Sequence, residues 1–297
     1  MKKVLLGAVA LIFLLSCKKE KLVDEASGSI YALTYNVAGL PEIISGSSPE
    51  TYTSLISPLL NDFDIVHVQE DFCYHDSLLL FDNHKYKTAP MPCVPDGDGL
   101  NTFSNYKINN FERFAWEDCN SFDCATPKGF SYSQIELDKG VYIDFYNLHC
   151  NAGKTAEDKA ARRSNLRQLI NYMNNKSAGQ AVILMGDFNN YYTRSGDSIR
   201  VFQELGFTDV WLDLVRNGDV PVQNDIKLDN CEYSTNSSFD CEGVDKMFYK
   251  SSDEMKIEAI SYQYGDDIRF YYQGNDTLPL SDHSPLMVRF NFDFKRK

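Results

Sequence analysis

Seven short apolar runs, at 30–35, 65–68, 130–137, 141–148, 181–185, 244–249 and 285–290, are spread along the chain. Each is too short for a core-packing helix and too continuously apolar for a strand with one wet face, so each reads as a strand buried on both sides. Strands filled on both faces imply stacked sheets. Between 155 and 175 the period changes. Leu166, Leu169, Ile170 and Met173 follow the i, i+3, i+4, i+7 spacing of an amphipathic helix, and Thr155 with Asp158 supplies a capping box. A second helix is expected over 50–60, with Tyr52, Leu55, Ile56 and Leu59 on its apolar face. Stacked sheets flanked by helices give an α/β fold in four layers.

No repeat or low-complexity stretch interrupts residues 29–297, and Pro and Gly are scattered through loops, so one domain is expected there. Residues 1–16 read as a signal segment, with Lys2 and Lys3 followed by an apolar stretch too short to span a bilayer. It ends in Leu14-Leu15-Ser16-Cys17, which resembles the bacterial lipobox, where the chain is cut before the cysteine and that cysteine is acylated; a plain secretory signal is the alternative. Residues 17–28 are polar and aperiodic and are read as a tether. Lys18-Lys19-Glu20 is similar to segments that send lipoproteins to the outer membrane or cell surface of Gram-negative bacteria, and a monomer anchored through Cys17 is expected.

Seven further cysteines remain, an odd number that leaves at least one unpaired. Export favours disulfides, and Cys119 with Cys124, Cys231 with Cys241, and more loosely Cys73 with Cys93 are the expected pairs. A zinc site competes, but the chain contains no Cys-x-x-Cys pair. Cys150 is read as an inert packing residue. The formal charge of −13, more negative still once Lys2 and Lys3 leave with the signal, opposes polyanion binding and disfavours a processive nuclease.

Chemically capable residues follow the apolar runs closely. Glu70 comes after 65–69, His149 and Asn151 after 141–148, and Asp187 and Asn189 after 181–185. Taken in order, TYNVAGLP (34–41), VQED (68–71), YNLH (146–149), GDFN (186–189), GVDKMFY (243–249) and SDHSPL (281–286) resemble the endonuclease/exonuclease/phosphatase superfamily. The resemblance implies an α/β/β/α sandwich and phosphoester cleavage with magnesium, or with manganese or another divalent cation. It makes Glu70 the metal ligand, with Asn36 beside it and Asp282 near the metal and its water shell. His283 becomes the general base and Asp245 its orienting carboxylate. Asp187 positions the nucleophile, Asn189 donates to the phosphate, and His149 stabilises the transition state from the other side. His67, His75 and His84 carry no motif and are read as structural or exposed.

Asp123 and the Lys128-Gly129 pair before a strand are similar to the Asp and Lys-Gly loop of neutral sphingomyelinases, and Asn151 is compatible with that subfamily. The resemblance implies a phosphodiesterase that releases a phosphorylated head group from a phospholipid. A secreted nuclease with DNA or RNA as substrate, an inositol-phosphate-type phosphatase and a binding module without catalysis are the competing readings. No long hydrophobic hairpin for membrane entry is evident; Tyr271 and Tyr272 are the nearest aromatic candidates.

Overall fold

A computed structural model describes residues 22–45, 47–225, 228, 231, 241–265, 267–273 and 277–297, so the signal segment and Cys17 lie outside the described residues, as does the side chain of Tyr272. In chain order the strands are β1 (Glu25–Asn36), β2 (Ile65–Gln69), β3 (Tyr86–Lys87), β4 (Asn101–Ser104), β5 (Lys107–Ala115), β6 (Gly129–Asp138) and β7 (Val141–His149). They continue as β8 (Val182–Asp187), β9 (Thr208–Asp209), β10 (Asp245–Lys250), β11 (Met255–Tyr264), β12 (Tyr271–Gln273), β13 (Thr277–Pro279) and β14 (Leu286–Lys295). The helices are α1 (Glu42–Ser45), α2 (Pro49–Ile56), α3 (His75–Leu79), α4 (Ala156–Lys176), α5 (Val201–Glu204) and α6 (Val210–Leu214). Two six-stranded sheets run β11-β14-β1-β2-β4-β3 and β5-β6-β7-β8-β10-β9, and β12 pairs with β13 as a separate ribbon.

Alternation along the strands makes the layers. Ile30, Ala32 and Ile65 of the first sheet meet Ile143, Phe145, Ile183 and Met185 of the second in the central core. The intervening Leu33, Tyr35, Val66 and Val68 turn outward to Ile56 and Leu60 beneath α2. On the far side, Tyr146, Leu148 and Leu184 face Leu166, Leu169 and Met173 of α4. Three apolar layers therefore bind four structural ones, the α/β/β/α sandwich expected. Each fully buried large side chain contributes about 1.5–3 kcal/mol.

All seven apolar runs lie in strands, and α4 starts with the capping box of Thr155 and Asp158. Two expectations need correction, and two edge strands were not anticipated. The helix expected over 50–60 is α-helical only to Ile56 and continues as a 3₁₀ turn over Ser57–Asp62, because Pro58 has no N–H to donate to an α-helical bond, and Leu55 is exposed. The tether expected to reach residue 28 is sheet from Glu25, where β1 already pairs with Lys295 of β14. Strands β5 and β11 at the sheet edges carry no apolar run; β11 alternates buried with exposed residues and β5 is largely half-buried.

All three expected disulfides are formed, and Cys150 is the free cysteine among the described residues. Cys150 is fully buried, and burial pushes its thiol pKa up, which leaves it inert. His67, His75 and His84 are buried structural groups. His75 pairs with Asp71 and His84 with Asp82, while burial holds the His67 imidazole down to about 3 and therefore neutral.

Candidate active site

Strand direction collects the polar residues. β1 with β2, and β7 with β8, are parallel pairs, so Asn36, Glu70, His149 and Asp187 all leave their strands at one end of the sandwich. β10 runs antiparallel to β8 in a register that sets its first residue, Asp245, opposite Asp187, which is itself opposite His149. β14 runs antiparallel to β1 with Leu286 opposite Thr34, which brings the preceding Ser281-Asp282-His283 to the same end.

Tight turns hold these side chains. Glu70 and Asn189 occupy left-handed backbone conformations, with φ of 56° and 50°, which cost energy for residues with a Cβ and are found where surrounding structure imposes them. Gly99 packs directly under the first: a Cβ there would meet the Phe72 ring at 2.7 Å and the Glu70 Cα at 3.0 Å.

Two groupings form. In the first, Asn36 Nδ2 donates to Glu70 Oε1 at 3.2 Å and lies 3.4 Å from Asp187 Oδ2, while His149 Nε2 lies 3.2 Å from Asp187 Oδ2 and 3.8 Å from Glu70 Oε1. Asn189 gives its backbone N–H to Asp187 Oδ1 and its side-chain amide to Asp187 Oδ2 and the Cys150 carbonyl. Both N–H bonds of that amide are therefore committed. In the second, His283 Nδ1 bonds Asp245 Oδ2 at 2.9 Å, leaving Nε2 turned inward at 3.7 Å from Asp187 Oδ2. Burial lowers the His283 pKa, but the Asp245 and Asp187 carboxylates raise it more, so the ring titrates well above its usual value. Asp187 is buried too, yet His283 and His149 hold it ionised.

Asp282 stands beside this dyad, its pKa raised by burial and, after the opposing pull of His283, by the Glu70 and Asp187 carboxylates. Lys128 pairs with Asp123 at 2.9 Å and is buried. Asn151 lines a small cavity with Asp123 and Lys128, and its side chain accepts from the Asn120 N–H and donates to the Ala152 carbonyl.

Five residues to which the sequence assigned no role also contribute. Tyr264 donates to Asp245 Oδ2 at 3.2 Å, a second grip on the dyad carboxylate, from an edge strand without an apolar run. Ser281 ties the β14 entry to the Asn36 carbonyl at 2.6 Å. Gln69 and Asn147 bond across the two sheets. Arg162, fully buried on α4, binds the carbonyls of Asn151, Ala152 and Gly153, and the Ala152 N–H holds Asp123. An arginine within the apolar spacing of a helix was the available signal for the last.

The donor set fits a hard divalent cation. Glu70, Asp187 and Asp282 bring carboxylate oxygens together, and Asn36 offers an amide oxygen once its ring of partners is rearranged, oxygen donors of the kind magnesium takes. Asp187, Asp245 and His283 also place ligand atoms within 4.8 Å of one another. Their mutual hydrogen bonding uses the imidazole Nδ1, and magnesium prefers oxygen, so the trio suits that ion less well than the oxygen donors around Glu70. Positive charge held at Glu70 and Asp282 would bring the His283 pKa down toward the range a base requires.

Residues 49–289 match the Endonuclease/Exonuclease/phosphatase family 2. Over 279 residues, 91% of the chain, the sequence is 37% identical to a protein of Mycobacterium tuberculosis named sphingomyelinase, and the chain spans about half of that relative's length, 54%. Among solved structures, an endonuclease/exonuclease/phosphatase family protein from Bacteroides thetaiotaomicron gives a TM-score of 0.66 at 18% identity, covering 90% of this chain and 96% of that one. A mutant of beta toxin from Staphylococcus aureus, solved with bound magnesium ions, gives 0.60 at 18% identity, covering 91% and 100%. At such identities the two structures speak for the fold.

Proposed function

Because the chain belongs to the endonuclease/exonuclease/phosphatase family, we propose that it is a divalent-cation-dependent phosphodiesterase that releases a phosphorylated head group from a phospholipid of the sphingomyelin type. The observation that carries this reading is the convergence of Glu70, His149, Asp187, Asn189, Asp245 and His283 from separate strand ends on one small volume. The identity to a named sphingomyelinase supports the choice of substrate, and the acidic chain, at −13, suits a single phosphodiester better than a nucleic-acid strand.

Magnesium, held by Glu70, Asn36 and Asp282, would polarise the phosphoryl group and neutralise charge growing on its oxygens. The chain's own residues do the remainder. Asp245 fixes the His283 ring through Nδ1, so Nε2 accepts the proton of the attacking water. Asp187, facing that same Nε2, orients the water. Asn189 exchanges its bond to Asp187 for one to a phosphate oxygen, Lys128 supplies a positive charge to another, and His149 donates a hydrogen bond from the opposite side as the phosphorus becomes five-coordinate; the P–O bond to the lipid alcohol then breaks and that oxygen takes a proton from water.

Export and anchoring through an acylated Cys17, at the outer membrane or cell surface of a Gram-negative bacterium, complete the proposal and would keep a monomeric enzyme near lipid. Among the described residues no helix is long and apolar enough to cross a membrane. The test is an assay of residues 21–297 with magnesium against sphingomyelin vesicles, bis-p-nitrophenyl phosphate, plasmid DNA and an inositol phosphate, with His283→Ala in parallel. Metal-dependent phosphocholine release that vanishes in the variant supports the reading. Cleavage of DNA or of the inositol phosphate alone replaces it with the nuclease or phosphatase reading, and silence on all four leaves a binding module.

A further inference from the structure

A cavity of about 470 Å³ opens beside Glu70, within the range of small-molecule pockets. Glu70, Asp123 and Lys128 line it together with Thr126, and the remaining lining is hydrocarbon, chiefly Leu40, Pro41, Ile44, Val94 and Pro95 with the rings of Phe72 and Phe122. At the mouth, Ile44 and Phe122 stand 66% and 88% exposed. Single exposed apolar side chains are ordinary, but these border a groove that runs into the cluster of carboxylates and lysine.

The walls are fixed before any ligand arrives. Gly39 N–H donates to the Glu70 carbonyl and Cys73 N–H to the Gly39 carbonyl, pinning the segment around Leu40 to that around Phe72. The Cys73–Cys93 disulfide holds the wall of Val94 and Pro95, and Cys119–Cys124 closes the turn that presents Phe122. A preformed site avoids the ordering cost that a collapsing one would carry.

We propose that this groove binds one hydrocarbon chain of the phosphoester whose phosphate lies at Glu70 and Lys128, an inference that rests on the phosphodiesterase reading above. Continuity decides the occupant. The groove shares Glu70, Asp123 and Lys128 with the site, so a phosphoester held there has its substituents beside the groove. Its aliphatic wall offers little to the edges of a nucleobase, which need hydrogen-bond partners. A quaternary ammonium would seek aromatic faces around it, whereas Leu40, Pro41, Ile44, Val94 and Pro95 outnumber the two phenylalanines.

Titration calorimetry of the magnesium-loaded protein with monomeric butyl, hexyl and octyl phosphate tests this directly. Affinity should rise about fourfold per added methylene until the groove is filled. Ile44→Ser with Phe122→Ser should flatten that dependence, and since both side chains stand largely in water the fold is not at stake. A chain-length-independent affinity in the unaltered protein overturns the inference, as does tighter binding of phosphocholine than of octyl phosphate. Wild-type protein that leaves sphingomyelin vesicles intact but keeps the chain-length dependence retains the groove and loses the head-group reading. Vesicle cleavage with a flat dependence does the reverse.

Discussion

Gln69 Nε2 donates to Asn147 Oδ1 across 2.7 Å, and this bond passes from one six-stranded sheet to the other directly beneath the residues that lead into Glu70 and His149. Gln69 also donates to Thr34 Oγ1, and Asn147 to the carbonyls of Val68 and Asn101, so the central core is bridged by amides just where the site begins. Asn147→Leu removes a partner from three buried groups on two strands, the Gln69 amide and Val68 carbonyl of β2 and the Asn101 carbonyl of β4. A loss of about 3 kcal/mol is expected, from 1–3 kcal/mol per orphaned group, read as a lower midpoint in urea. Catalytic rate should fall at least tenfold, roughly, as Glu70 and His149 lose their common footing.

His283→Ala should lower kcat toward bis-p-nitrophenyl phosphate by about 10²–10⁴, with Asp245→Asn in the same range. Tyr264→Phe, which removes only the second donor to Asp245, should cost less than about tenfold. Equal losses in Tyr264→Phe and His283→Ala would show that the dyad is not the proton acceptor.

Removing divalent cations with a chelator should abolish turnover, and magnesium should restore it. Glu70→Gln should weaken magnesium binding by about 10–100-fold in calorimetry while leaving the circular dichroism spectrum unchanged. Unaltered magnesium affinity would move the metal away from Glu70.

Asp158 gives a pH dependence of stability. Burial pushes its pKa up from 3.8, but hydrogen bonds from Asn120, the Thr155 N–H and hydroxyl, and Asn151 outweigh it and hold it down to about 2. The folded value lies below the unfolded one, so the stabilisation is fully present above pH 3.8 and is lost as pH falls toward 2. With allowance for solvent screening it amounts to on the order of 1 kcal/mol. Asp158→Asn should remove that component, so the stability difference between variant and parent should shrink from pH 5 to pH 2, within the roughly pH 5 to 1 window over which such carboxylates titrate.

Cys73→Ser with Cys93→Ser opens a loop with a sequence separation of 20. Loss of about 3 kcal/mol is expected from the chain-entropy cost of loops of that size. The same variant frees the Val94–Pro95 wall, so the dependence of affinity on alkyl chain length should weaken with it.

The sandwich was legible in the sequence because its central strands are apolar on both faces, and Glu70, His149, Asp187 and Asn189 stood out because they come at or just after the ends of such strands, whereas Asp245, Asp282 and His283 lie at or before strand starts and were marked by the motifs alone. The edge strand β11 was not. Its exposed Lys256 and Glu258 alternate with the buried Met255, Ile257 and Ala259 and break the apolar run that marked the other strands, and Tyr264 was missed with it. Gln69, Asn147 and Arg162 were passed over for a related reason. Each is polar at a position whose neighbours are core, and sequence spacing alone does not reveal which partner satisfies a buried amide or guanidinium. The helix over 50–60 overran because apolar spacing continues through Pro58, while hydrogen bonding does not.

Strand β14 lies between β11 and β1 in the first sheet, although about 250 residues of chain separate it from β1. The segment that carries Ser281, Asp282 and His283 to the site is therefore held by one of the longest-range pairings in the fold, and the order of events in refolding should place the docking of His283 after the local pairing of β7 with β8.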